Sequence, residues 1–198
     1  MRKTASIVYL IAVVAFLGAT LAFNGATAGE KHTFIGASKC KMCHKKAESG
    51  EQYPLWEKSK HANAYATLAS EESKKIAAER GIDNPQEADA CLKCHVTGHG
   101  APAELLGTKY DQAEGVGCES CHGAGGDYYK KKTMVAITTG EIDGASVGLV
   151  TPDEKTCTAC HNEESPTFAG FEYEEMVKKI AHPIPDARKA EYKAAAGG

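Results

Sequence analysis

The chain has 198 residues, of which 25% are charged, and its 23 Lys and Arg against 26 Asp and Glu give a formal charge of −3. That length corresponds to about one domain, and the acidic balance makes nucleic acid an unexpected partner. With aromatic residues at only 7%, the polypeptide alone is not expected to build a large apolar core.

Residues 1–28 read as a secretory signal that is cleaved. Arg2 and Lys3 form a charged start, Ile7 to Phe23 is almost wholly apolar, and Ala26-Thr27-Ala28 supplies a small-x-small site before Gly29. An uncleaved anchor is the competing reading, because the apolar run is nearly long enough to span a bilayer. The small-residue site at the right distance favours cleavage. No cysteine precedes Cys40, which excludes a lipoprotein anchor, and loss of Arg2 and Lys3, with no acidic residue among the first 28, takes the charge to −5. The expectation is an exported protein, periplasmic or at the cell surface or beyond, whose single domain covers 29–198 without a transmembrane segment.

Within that domain Pro54 to Arg80 predicts the clearest helix, with Pro54 at the first position and Gly81 just past the end. Asn84-Pro85-Gln86-Glu87 predicts a second start, as cap, N1 proline and Glu three residues on. Glycine-rich turns follow at 97–100, 115–117 and 123–126. Strand signals are weak, and Met134–Thr139 is the only β-branched run worth noting. Phe171 to Ala181 predicts a last helix, with Met176, Val177 and Ile180 on its apolar side and Pro183 as its stop.

All eight cysteines fall in four Cys-x-x-Cys-His runs: Cys40, Cys43 and His44; Cys91, Cys94 and His95; Cys118, Cys121 and His122; Cys157, Cys160 and His161. This is the attachment pattern of c-type haem. Two thiols three residues apart lie on one side of a helical turn, within reach of both vinyl groups of one porphyrin, and the next residue points its Nε2 at the iron. Two zinc ribbons, or a disulfide framework, are the competing uses of these cysteines. Neither accounts for a histidine after every pair in a chain that has only eight. Four haems c per chain are therefore expected, with the macrocycles forming most of the core, so that the apoprotein should not fold. The fold class is mostly α with long loops, a compact multihaem c-type cytochrome domain with a haem-built core.

Four histidines remain as candidate distal iron ligands: His61, His182, His32 and His99. The number matches four bis-histidyl haems. His61 shares a helix face with Tyr65 and Leu68, and Ala62, Ala64 and Ala66 leave room for a flat porphyrin. His182 closes the last helix. His99 follows His95 too closely to reach the other side of its own haem, so it serves a different haem or none. His32 falls in the flexible first residues after cleavage.

The surroundings of these residues resemble a known family. Trp56, Ser59, His61 and Ala62 in one stretch, Cys94-His95-Val96-Thr97-Gly98, Gly115-Val116-Gly117-Cys118-Glu119-Ser120-Cys121-His122-Gly123, and Phe171-Glu172-Tyr173-Glu174-Glu175-Met176-Val177-Lys178 are similar to the cytochrome c554 family, tetrahaem electron carriers named for a periplasmic acceptor in ammonia oxidisers. The resemblance implies distal roles for His61 and His182 and a five-coordinate haem at the second motif. It also implies a distal His after the third motif in a Gly-Asp-His context. Here that stretch is Gly126-Asp127-Tyr128-Tyr129, while His99 replaces an aromatic and His32 is additional. One ligand lost and two gained also resembles the tetrahaem cytochromes of metal-reducing bacteria that polymerise into extracellular filaments, where a neighbouring subunit supplies an axial His.

Three functions follow as expectations. The first is electron transfer without catalysis, to redox proteins or extracellular acceptors. The second is the same carrier as a homo-oligomer or filament in which His32 reaches a neighbour. The third is an enzyme with one open iron for a small nitrogen or oxygen species, with Tyr128 or Tyr129 lining the pocket; packing on porphyrin edges is the plainer role for both. No acid, base or nucleophile constellation stands out. Glu71–Lys75 reads as a solvated helix face, and Lys130–Lys132 as a solvated loop.

Overall fold

The computed structural model describes residues 32–182 and 184–195. The signal segment and Pro183 lie outside them. In chain order the helices are α1 (Ala37–His44), α2 (Gln52–Glu57), α3 (Ala64–Thr67), α4 (Glu71–Glu79), α5 (Asp89–His95), α6 (Cys118–His122), α7 (Lys131–Thr138), α8 (Glu154–Thr158), α9 (Tyr173–Ile180) and α10 (Asp186–Ala195). Among the described residues there is no strand; one isolated parallel bridge joins Phe34 to Leu106. Mostly α with long loops is the architecture. No helix among the described residues is long and apolar enough to cross a membrane.

The expected helix over 54–80 is three helices. The first begins at Gln52, so Pro54 stands inside the first turn, where its missing N–H costs nothing. Small polar side chains then break the ladder. Ser59 Oγ accepts from Ala62 N (3.4 Å), and Asn63 Nδ2 donates to the Ser59 carbonyl (3.2 Å). Ser70 Oγ accepts from Ser73 N (3.1 Å) and starts α4 as its cap. Such residues offer the backbone a local alternative to the helix. The far end agrees with the sequence: Gly81 has φ +69°, Gly81 N donates to Ala78 O (3.0 Å) and Ile82 N to Ala77 O (2.9 Å), the Schellman closure that glycine permits.

Two other expectations are corrected. Asn84 Oδ1 accepts from Gln86 N at 3.0 Å, but this makes a single turn, and α5 starts only at Asp89. The β-branched run Met134–Thr139 lies in α7, with Thr139 as its C-cap. Met134 and Ile137 are half-buried one turn apart, and Thr138 and Thr139 spend their hydroxyls on the carbonyls of Met134 (2.8 Å) and Val135 (3.1 Å). Tertiary packing outweighs a weak strand propensity here. The last predicted helix is present as α9. Beyond it α10 was not foreseen; it is supported by the i,i+3 pairs Asp186–Lys189 (3.0 Å) and Arg188–Glu191 (2.6 Å).

The first described residues form a strap that is hydrogen-bonded at nearly every position, not the flexible tail expected around His32. Thr33 O accepts from Gly126 N (2.9 Å), and Phe34 exchanges bonds with Leu105 O and Gly107 N (both 2.8 Å). The Glu119 carboxylate accepts from Ile35 N (2.9 Å), Gly36 N (2.8 Å) and Gly125 N (2.6 Å). Glu114 takes over as N-terminal cap of α1, accepting from Ala37 N (2.6 Å) and Ser38 N (3.1 Å). Gly36 makes the turn into α1 at φ +84°, where a Cβ would lie 2.3 Å from the Lys109 carbonyl oxygen.

Apolar packing is thin. Ala37, Tyr53 and Trp56 form one buried cluster and Leu68, Leu92 and Val96 another, and the Trp56 indole donates to Val116 O at 2.8 Å. No large side chain among the described residues is fully buried, whereas Met42, Leu55, Val150, Phe168 and Met176 stand exposed. For a chain of this length that is too little self-made core.

Candidate functional site

Each Cys-x-x-Cys-His run forms a helical turn. The first three end α1, α5 and α6. The fourth begins in α8, which Asp153 and Thr156 close with a reciprocal capping box; its turn is continued by His161 N donating to Cys157 O (3.0 Å). None of the eight cysteines forms a disulfide, and no three Cys, His, Asp or Glu among the described residues converge as a zinc ribbon requires. The pairs present themselves as separate attachment points.

Three of the four motif imidazoles have an oxygen partner at Nδ1, and the fourth is stacked. His95 Nδ1 donates to Ala64 O at 2.7 Å, and His122 Nδ1 faces Val150 O at 3.3 Å. His44 Nδ1 faces Gln52 Oε1 at 3.4 Å. The ring of Phe171 stacks on His161, with centroids 4.7 Å apart and planes at 20°. In each hydrogen-bonded case Nε2 is left over, the pattern by which second contacts fix a ligating tautomer. Gly123 follows His122 at φ +76°, where a Cβ would lie 2.2 Å from Gly148 O, so the third motif must end in glycine. Tyr128 is buried and donates to His122 O (3.1 Å) and Gly123 O (2.8 Å). Its hydroxyl pins the end of α6, and burial pushes its ionisation well above the usual phenol range.

Two of the four extra histidines meet a proximal one. His61 and His161 have ring centroids 6.0 Å apart with planes at 72°; His122 and His182 have centroids 5.9 Å apart with planes at 68°. Two imidazoles holding one metal from opposite sides have centroids roughly 6 Å apart, since each metal–nitrogen bond is about 2 Å. Both spacings fit an iron between the rings. His182 Nδ1 donates to Ile180 O at 2.9 Å, leaving Nε2 for the gap. Burial holds His61 and His122 below the usual imidazole range, so at neutral pH both are in the neutral form that ligates.

His32 and His99 pair with neither His44 nor His95. His32 Nδ1 donates to Asp127 Oδ2 at 2.6 Å, and its ring lies on Gly148. His99 uses the opposite nitrogen: Nε2 bonds Asp89 Oδ1 at 3.0 Å.

Contacts between motifs show which attachment points are neighbours. The Cys40 and Cys118 thiols are within hydrogen-bonding reach of each other, as are those of Cys94 and Cys160. Cys121 lies near Cys157. Burial, then Cys94, pushes the Cys160 thiol up to about 12. An ion pair between Lys93 and Glu164 ties the second motif to the segment after the fourth. The first turn thus neighbours the third, the third the fourth, and the fourth the second.

Glu114, Glu119, Asp127 and Phe171 were not singled out from sequence as site residues. Glu119 lies between the cysteines of the third motif, a position that gave a signal. Asp127 and Phe171 lie in stretches that carry the family resemblance, whereas Glu114 offered no local pattern.

Paired thiols, oriented histidines and exposed apolar side chains around them define a c-type cytochrome. The family model for cytochrome c554 and c-prime matches residues 39–123, and cytochrome c-554 of Nitrosomonas europaea is 29% identical over 187 residues, covering 79% of this chain and 77% of that protein. The chain is thus similar to cytochrome c554 proteins over most of its length, a similarity that supports a c-type cytochrome with an electron-transfer role. No solved structure matches.

Proposed function

We propose that the chain is an exported electron carrier holding four haems c, one on each Cys-x-x-Cys-His turn, and that it is not an enzyme. The observation that carries this reading is the pair of histidine contacts, His61 with His161 and His122 with His182, each at the spacing of two imidazoles on one iron. Haem supplies one-electron exchange at its iron; the chain supplies thioether anchors, axial imidazoles and the contacts that orient them. His44, His95, His122 and His161 are the proximal ligands and His61 and His182 two of the distal ones. Ligation on both sides at His122 and His161 leaves no open position for a substrate at those two haems. The adjacency of the cysteines supports a conduction order of first, third, fourth and second site. Tyr128 is spent on the backbone, which removes one candidate for an enzyme pocket.

Spectroelectrochemical titration of the purified holoprotein tests this. Reversible uptake of four electrons per chain, without steady consumption of hydroxylamine, nitrite or peroxide, is expected. Steady turnover of any of these would overturn the carrier reading.

A second reading, a homo-oligomeric or filamentous carrier at the cell exterior, is favoured by one observation. His44 and His95 meet no other histidine ring among the described residues, while His32 is held rigidly with Nε2 unspent. In this reading His32 completes a haem of a neighbouring copy, and His99 remains as a candidate for another. His32→Ala then converts one haem to high spin and dissolves the assembly. Conversion with the native particle size retained would place the ligand within one chain.

A further inference from the structure

We propose that Asp127 is a positioning residue for haem ligation: its carboxylate holds the His32 ring by Nδ1, keeps Nε2 free of that bond, and lowers the potential of the haem that His32 ligates. This rests on the reading of His32 as a distal ligand.

The geometry is built from two sides. His32 Nδ1–H donates to Asp127 Oδ2 at 2.6 Å, and the ring is seated on Gly148, where a Cβ would come within 2.5 Å of Cδ2. The adjacent backbone bond, Gly126 N to Thr33 O at 2.9 Å, locks the register of the strap against the segment that carries Asp127. The two side chains are therefore brought together by fixed backbone rather than by chance contact of free ends. The His32 side chain keeps only 18% of its exposure, so its orientation is set before any iron arrives.

The chemistry differs from that at the other histidines. Where a ring nitrogen opposite the iron has an acceptor, it is a carbonyl of Ala64, Val150 or Ile180, or the Gln52 amide oxygen. All are neutral. At His32 the acceptor is an anion, and a charge-assisted bond is about twice as strong as a neutral one. Such a bond gives the imidazole imidazolate character, which favours the ferric over the ferrous ion. Asp89 cannot play the same part for His99, because it occupies Nε2. The structure thus singles out one haem whose ligand carries a negative second partner.

The test uses the holoprotein with Asp127→Asn, Asp127→Glu and His32→Ala. Asparagine still accepts from Nδ1–H but carries no charge. Asp127→Asn is expected to keep every haem in its original spin state and to raise one midpoint potential. A ten-fold loss of ferric preference reads as about 59 mV for a one-electron couple. The EPR g-values of that same haem should move with it, as a loss of imidazolate character requires and a distant loss of charge does not. Asp127→Glu should restore both. His32→Ala should turn one haem high spin. If His32→Ala leaves all spin states unchanged, the ligand reading itself fails. If His32→Ala converts a haem but Asp127→Asn moves neither potential nor g-values, the ligand stands and the role given to Asp127 is wrong.

Discussion

Glu119→Ala is expected to lower the stability of the holoprotein by at least about 3 kcal/mol, because it strips the acceptor from three buried backbone donors at once. Ile35 N, Gly36 N and Gly125 N all end on this carboxylate, and each buried donor left unpaired costs about 1–3 kcal/mol. No water-accessible route relieves them, since Glu119 itself is only 4% exposed. For a domain of this size the loss corresponds to a fall in melting temperature on the order of 10 °C. Glu119→Gln keeps one acceptor oxygen and should fall between. The effect reaches the site as well, because the strap that Glu119 grips leads directly into α1 and carries His32. Thermal unfolding followed in the Soret band and in the far-ultraviolet measures it. An unchanged midpoint in Glu119→Ala would mean that the strap is not held in this way.

His61→Ala and His182→Ala are each expected to convert one haem, and a different one, from low to high spin. The ring contacts name the partners: His61 faces His161 across 6.0 Å, and His182 faces His122 across 5.9 Å. Removing either ring leaves about one-quarter of the haem signal in the high-spin form, with the four haems weighted equally. The two changes should add in the double variant, because the pairs share no histidine. Exogenous imidazole should return each single variant to low spin. EPR and the ferric optical spectrum read the result. If either single variant keeps all its haems low spin, that histidine is not the distal ligand.

Much of this site was legible in the sequence because it is written locally. Cysteine, cysteine and histidine within five residues define each attachment turn whatever the rest of the chain does, and His61 and His182 stood out by their neighbours. Their pairing was not legible: His61 meets the fourth motif and His182 the third, an outcome of tertiary placement. The residues that orient the site were hidden for the same reason. Glu119 bonds backbone 84 residues away, and Asp127 bonds a ring 95 residues away; no local spacing announces either partner. The tail around His32 read as flexible because its anchors lie in distant segments.

The mostly α class holds, and it is element bounds that differ where local propensity is weak. A helix over 54–80 has the right ends, Pro54 and Gly81, but Ser59, Asn63 and Ser70 redirect the backbone between them. The β-branched run at 134–139 satisfies a strand pattern and still forms a helix, because its apolar side chains recur one helical turn apart. The thin core agrees with the composition, and in the proposed reading the haem macrocycles complete it.

The most direct test of the central claim is the intact mass of the purified mature protein, measured under denaturing conditions. Four covalent haems, with no free thiol left for alkylation, is the result expected from eight cysteines in four attachment turns. Fewer haems with alkylatable cysteines remaining, or a haem-free chain that releases zinc, would contradict it.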